Sequence, residues 1–390
     1  MTRHVVAIVA IFLCSALAWF ILGATVASRT AAAGNELGPR VGSSWGLPQK
    51  QEPPIATSSS EVSPVTSALT LERSRIRTAL DLEQRQKGLL WFATYRVAFA
   101  GDYLFRNDTP AENVLLRLRF PEPQAIYDDV VFRVNGQAIR PMSVAGGMQT
   151  PVKVPVGGTV RLEVGYRSQG MTTWYYSLGD DVSQVRDFQL DMTTDFAAID
   201  FPANTLSPTA KTRTRDGWHL TWRYNNLVTG YGIGMLLPQK IQPGPLVGRI
   251  SFFAPVSLLF FFFLTFIITK MRGIDLHPMH YFFLAASFFA FHLLLAYLAD
   301  HISIHLAFTI SSAVSIFLVV SYLRIVAGRR FAMVDAALTQ LVYLVGFSYA
   351  FFFEGFTGLA ITIGAIVTLF VVMQMTARVD WRTAEEEAPA

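Results

Sequence analysis

Seven histidines are the residues of this 390-residue chain best suited to metal ligation or proton transfer. Asp300, His301 and His305 form the tightest group. The two histidines stand four apart, so on a helix they share one face beside a carboxylate, a spacing that zinc sites use. A catalytic zinc needs three protein ligands, and no His-Glu-x-x-His pattern accompanies the group. Its alternative is a polar turn where a helix meets the membrane surface. His292 differs, because it lies mid-way along an apolar run, where a polar group is costly and often functional unless it bonds to a neighbouring helix. In His277-Pro278 the proline suits the first turn of a helix, with His277 just before it. His280 lies near the opposite end of that helix from His301. No metal, cofactor or catalytic residue is assigned.

Trp174, Tyr175 and Tyr176 could form a stacking platform for a sugar, a ligand face outside the membrane. Alternation along a strand puts Trp174 and Tyr176 on one face and Tyr175 on the other, which favours core packing. Asp180, Asp181, Asp187 and Asp191 lack calcium-loop spacing. Asp335 and Glu354 are too sparse for a proton relay, and only His292, Gln340 and Gln374 lie deep in apolar runs. There is no phosphate-binding loop, dinucleotide fingerprint or Gly-x-Ser-x-Gly nucleophile. The one cysteine, Cys14, excludes an intramolecular disulfide and a thiolate cluster.

The elements that must carry these residues are set by hydropathy. At 52% hydrophobic, 15% charged and a mean hydropathy of +0.37, the chain is too apolar for an ordinary soluble protein. A net charge of +4 suggests nucleic-acid binding only where the cations cluster with aromatics, which they do not. Apolar runs at 5–24, 250–269, 279–299, 302–323, 331–353 and 356–376 are each long enough to cross the membrane as a helix. The first reads as a retained anchor rather than a signal peptide cut after Thr25-Val26-Ala27. Short connectors make the last five antiparallel neighbours, a five-helix bundle in which Gly355, Gly358 and Gly364 allow close contact. Arg3, Lys270, Arg272, Arg324, Arg329, Arg330, Arg378 and Arg382 fall at alternate ends, and Asp300, His301 and Glu354 at the others. Both termini are therefore expected in the cytoplasm, with 28–248 outside it.

Residues 28–70, rich in Gly, Pro and Ser (Ser58 to Ser60, Pro64), read as a flexible tether. Beyond them the apolar period becomes two. Ile76, Leu80 and Leu82 alternate with Arg77 and Asp81, and Gln86-Lys87-Gly88 is a turn into 91–105. A helix over 69–86 is the minor alternative. Val114, Leu116 and Leu118, then Val160, Leu162 and Val164, continue the pattern, as do Phe188 to Met192 and Trp218 to Tyr224. Asn135-Gly136 is a hairpin turn. Antiparallel strands with one wet face predict an all-β, sandwich-like domain. The fold class is thus an α+β membrane protein: anchor (1–27), linker (28–70), periplasmic β-rich domain (71–248), five-helix membrane domain (249–377) and cytoplasmic tail (378–390).

The second half resembles the CreD inner-membrane protein family. The resemblance is carried by Leu276-His277-Pro278-Met279-His280-Tyr281, opening a span that closes with Leu293 to Ala299 and then Asp300-His301. Tyr322, the basic stretch from Arg324 to Arg330 and the closing Arg378-Val379-Asp380-Trp381 also look like the family's. Lys87-Gly88 and 230–245 align loosely. The resemblance implies a multi-pass protein of the bacterial inner membrane, linked to envelope stress and β-lactam response, with no established enzymatic activity. Its partners would be the lipid bilayer and an envelope protein or cell-wall material, with no nucleic acid; self-association is left open. The alternatives are a small-molecule transporter and a membrane-embedded metalloenzyme.

Overall fold

The computed structural model describes residues 2–58, 67–87, 90–179, 183–353 and 355–377. Ser59, Ser60, Pro64, Gly88, Asp180, Asp181, Glu354, Arg378, Val379, Asp380, Trp381 and Arg382 lie outside the described residues. The chain divides into two units, Gly34–Ile241 and Met1–Ala33 with Gln242–Ala390.

Helix α1 (Thr2–Trp45) is continuous for 44 residues. The tether expected over 28–70 is therefore corrected over 28–45. Ala27 and Ala31 to Ala33 are strong helix formers, and Glu36 and Arg40 add an i,i+4 ion pair at 2.8 Å. The helix stops at Gly46, whose φ of +134° suits glycine, and whose added Cβ would meet the Gln169 carbonyl at 2.2 Å. Two short strands follow, β1 (Gln49–Gln51) and β2 (Ile55–Ser58). They are held by buried amides: Gln49 Nε2 donates to Ser168 Oγ at 2.9 Å, and Gln51 Oε1 accepts from the Tyr166 hydroxyl at 2.6 Å.

The β unit continues with β3 (Ser67–Ala68), β4 (Thr70–Lys87), β5 (Leu90–Arg106), β6 (Asn113–Arg119), β7 (Tyr127–Val134) and β8 (Gln137–Ala138). Then come β9 (Met142–Val144), β10 (Gly147–Lys153), β11 (Thr159–Met171), β12 (Thr173–Tyr176) and β13 (Ser183–Thr194). The last are β14 (Ala210–Arg213), β15 (Trp218–Thr229) and β16 (Ile233–Leu236). The strand order is β14-β15-β13-β4-β5-β11-β7-β8 in an eight-stranded sheet, β3-β2-β6-β10-β9 in a second and β1-β12-β16 in a third. One cluster of buried side chains, including Leu80, Leu116, Trp174 and Trp222, draws on all three. Asn135 and Gly136, at φ 49° and 80°, make the turn from β7 to β8. The helical alternative for 69–86 is excluded by β4. Not every pair is antiparallel, however: β13 runs parallel to β4 and β1 to β12. Alternation fixes which face is wet, not which way the neighbouring strand runs.

The helical unit contains the first part of α1 and then α2 (Pro243–Met271), α3 (Pro278–Leu298), α4 (Ile304–Val326), α5 (Phe331–Phe352) and α6 (Thr357–Thr376). All six are long and apolar enough to cross a membrane, by length and composition. Aromatic contacts bind neighbours, Phe261 to Phe288 at 4.6 Å and Phe291 to Phe308 at 5.4 Å between ring centroids. In α5 the stretches Phe331–Ala336 and Leu341–Gly346 are wound as π-helix. The expected close packing at glycines is corrected. A Cβ at Gly355, Gly358 or Gly364 would meet nothing within 4 Å, and Gly355, at φ +81°, serves the turn before α6.

Candidate functional site

Along the helical unit, the sequence-selected polar residues separate rather than gather. His277 caps α3, with its Nδ1 accepting from the Met279 N–H at 3.3 Å and Pro278 in the first turn. His280 Nδ1 and the Tyr322 hydroxyl lie 2.7 Å apart, tying the start of α3 to the end of α4. At the other end of that hairpin, Asp300 pairs with Arg29 of α1, and the ring of His305 lies 5.2 Å from that of Phe352. His301 is exposed in the connecting turn and Arg324 is exposed in the last turn of α4. Among the described residues, no three His, Cys, Asp or Glu side chains are grouped as metal ligands would be.

His292 is fully buried on α3. Its Nδ1 sits 2.9 Å from the Phe288 carbonyl, which can only accept, so Nδ1 carries a proton, and in the neutral ring Nε2 is the acceptor. Nε2 has no partner among the described residues, nor has the indole N–H of Trp19, whose ring packs edge-on at 5.5 Å. Gln340, also fully buried, lies between the two π-helical stretches of α5. Its Nε2 donates to Ser315 Oγ at 2.9 Å, and Ser315 donates to the Ser287 carbonyl at 2.7 Å. Sequence reasoning missed this seam joining α3, α4 and α5, although Ser311 and Ser315, four apart in an apolar run, were a signal for it.

In the β unit, Trp174 and Tyr176 lie in the core and only Tyr175 is half-buried, so the three do not form a ligand face. The strand period made them share a side with the hydrophobic cluster, and the Tyr176 hydroxyl bonds to that of Tyr103 at 3.1 Å. Burial, with the neighbouring Tyr103, holds the Tyr176 phenol well above its ordinary value.

The outer face of the eight-stranded sheet carries what the sequence did not reveal. A depression of about 390 Å³ has a floor of small residues, Ala98 and Ala100 on β5 and Gly165 on β11. Ala100 stands opposite Gly165 across the β5–β11 pair and opposite Arg77 across the β4–β5 pair. Arg75, Arg77, Arg161 and Arg167 rise around that floor. Arg161 is bidentate to Asp102 (2.9 and 2.8 Å), Arg167 pairs with Asp129 at 3.1 Å and Arg75 with Asp187 at 2.5 Å. Arg77 makes no ion pair among the described residues; its parallel-strand neighbour Asp191 instead accepts from Gln189 and Thr221 at 2.7 and 2.8 Å.

Comparison with known proteins finds a family match over the helical part. Residues 228–382 match the family model described as inner membrane protein CreD. No curated protein matches the chain. Among solved structures, a Legionella pneumophila protein assigned to nutrient binding is 11% identical, covers 55% of this chain and 76% of its own, and has a TM-score of 0.34. An M1 zinc metallopeptidase from Deinococcus radiodurans is 16% identical, with 43% of this chain and 42% of its own covered and a TM-score of 0.26. The chain thus spans under half of that peptidase, and at these TM-scores neither likeness carries an argument.

The CreD match takes in β16 and α2 to α6. Within it, the residues that carried the resemblance have structural partners: His277 caps, His280 meets Tyr322, and Asp300 is held by Arg29. These residues mark the two ends of the α3–α4 hairpin. The β unit up to residue 227, with its outer-face depression, lies outside the CreD match.

Proposed function

We propose that this CreD-like chain is a non-enzymatic, multi-pass protein of the bacterial inner membrane that acts in envelope integrity or stress response. Its β unit lies in the periplasm and binds a carboxylate- or phosphate-bearing envelope ligand. Lys270, Arg272, Arg324, Arg329 and Arg330 at alternate helix ends support an orientation with both termini cytoplasmic. The observation that carries the binding role is the small-residue floor beneath Arg77, which has no ion pair among the described residues while Arg75, Arg161 and Arg167 around it are paired with Asp187, Asp102 and Asp129. A planar guanidinium matches carboxylate and phosphate oxygens in pairs.

Reporters fused after Gly273 and Gly328 should read cytoplasmic, and those after Gly157 and Gly355 exterior; a cytoplasmic reading at Gly157 reverses the orientation. A photoreactive side chain at Ala98 in intact cells should capture an envelope component in an Arg77-dependent way. The same probe at exposed Val228 serves as control. Equal capture from both positions, or capture insensitive to Arg77→Gln, rejects the binding role. A transporter reading has one observation in its favour, the buried Gln340 Oε1 with no partner among the described residues. Uptake by vesicles that is abolished by Gln340→Leu would favour it.

A further inference from the structure

Between α2, α5 and α6 the helical unit leaves a cleft of about 530 Å³. Its walls include Leu264 and Ile268, Leu338 and Val342, and Val367 and Val371. A second space of about 360 Å³ shares Val342 and Tyr343 with it and extends to Phe260 and Gly364. The polar side chains in the middle of the cleft are already engaged. Thr339 donates to the Asp335 carbonyl at 2.7 Å, and the Tyr343 hydroxyl bonds to Thr368. The interior is therefore apolar, and the open space around Gly364 means that helix contact does not close it.

One end of the cleft is charged. Arg272 Nη2 donates to Asp335 Oδ1 at 2.7 Å and Nη1 stands 2.7 Å from Oδ2 as an ion pair, and the arginine side chain is 40% exposed against 15% for the carboxylate. One of the five guanidinium donors is used in a hydrogen bond, and others remain for a ligand on the exposed side.

We propose that the cleft holds an acyl chain of a glycerophospholipid, with the lipid phosphate on the free N–H groups of Arg272. From Phe260 to Arg272, α2 rises about 18 Å, the reach of one leaflet of a ~30 Å hydrocarbon core with its headgroup. A guanidinium fixed by a carboxylate is pre-oriented for a phosphate, and the apolar walls suit a tail. The proposal rests on the membrane reading above.

The test is phospholipid retained by the full chain after purification in mild detergent. Arg272→Gln should lower retention about tenfold, the loss of a charged hydrogen bond. Gly364→Phe, which fills the tail space and leaves Arg272 intact, should lower it as well, and Arg324→Gln should not. If Gly364→Phe fails to elute as a folded species, Val367→Trp fills the adjoining cleft of about 530 Å³ instead. Native retention in both the arginine and the cleft-filling variants overturns the proposal. So does a delipidated chain that binds inorganic phosphate as tightly as phospholipid, for then the tail contributes nothing. Membrane residence is read separately, from whether the chain stays in the pellet after an alkaline wash. A chain in the pellet with no Arg272-dependent lipid defeats this proposal alone; one released to the supernatant defeats the membrane reading too.

Discussion

The β unit and the helical unit place their polar residues in opposite ways. Along β5, buried Val97, Phe99 and Tyr103 alternate with exposed Arg96, Ala98 and Ala100, because one face meets the core and the other water. In the helical unit large apolar side chains such as Phe282, Phe317, Ile363 and Phe370 point outward, and Ser257, His292, Ser311, Ser315 and Gln340 lie inside. Where the surroundings are as apolar as Leu, packing and hydrogen bonds replace the hydrophobic effect, and small or polar residues become the glue. The same side chain therefore has a different meaning in each unit.

The largest effect that would sharpen this contrast is alkaline unfolding of the β unit. Burial holds the phenols of Tyr95, Tyr103, Tyr166 and Tyr176 above the ordinary value of 10.0, and Tyr127 is pushed up to about 12, also mainly by burial. The unfolded chain loses these protons near pH 10 while the folded one keeps them. Their contribution is thus complete below pH 10 and is lost as pH rises through the folded values. The last part of the tyrosinate absorbance should rise together with loss of protease resistance in this unit; all 13 tyrosines ionising near pH 10 with resistance intact would mean that the buried phenols are accessible.

Next comes Trp222→Ala, which empties a fully buried position and leaves the Leu206 carbonyl without its 2.8 Å donor. A cost of about 3–5 kcal/mol is expected, read as a shift in the urea concentration at which the unit becomes protease-sensitive. A direct comparison of buried amides follows. Asn107 donates to the Ala111 and Val154 carbonyls at 2.9 and 2.8 Å and accepts from the Thr109 hydroxyl at 2.6 Å, so Asn107→Leu should cost about 2–3 kcal/mol. Gln340→Leu should cost about 0.6 kcal/mol, because in lipid the separated helices find other partners. Equal losses in the two variants would break the contrast. The smallest change should be Arg167→Gln, where both partners are mostly exposed, at roughly 0–1 kcal/mol by the same urea assay.

Much of this was legible in the sequence because it is local. The β4 and β5 pattern, the Asn135-Gly136 turn and the six apolar helices each follow from a few neighbouring residues. What was not legible depends on distant ones. Gln49 and Gln51 look like linker residues until β12 and the amide-accepting stretch around Ser168 are in place. Asp300 looks like half of a metal site until α1 brings Arg29 to it. The arginine-rimmed depression needed the β4, β5 and β11 registers together, since alternation in each strand says only that Arg77, Ala100 and Gly165 face the same way.

The order of the eight-stranded sheet also decides how the unit behaves beside copies of itself. One margin is β14, four exposed residues carrying Lys211 and Arg213, and the other is β8, two residues long. Neither offers a long uncharged ladder of free backbone groups, so an incoming strand has little to zip onto. The long strands β4, β5, β11 and β13, which could template such growth, are each paired on both sides. Crowding of this unit should therefore leave it in discrete particles rather than fibrils.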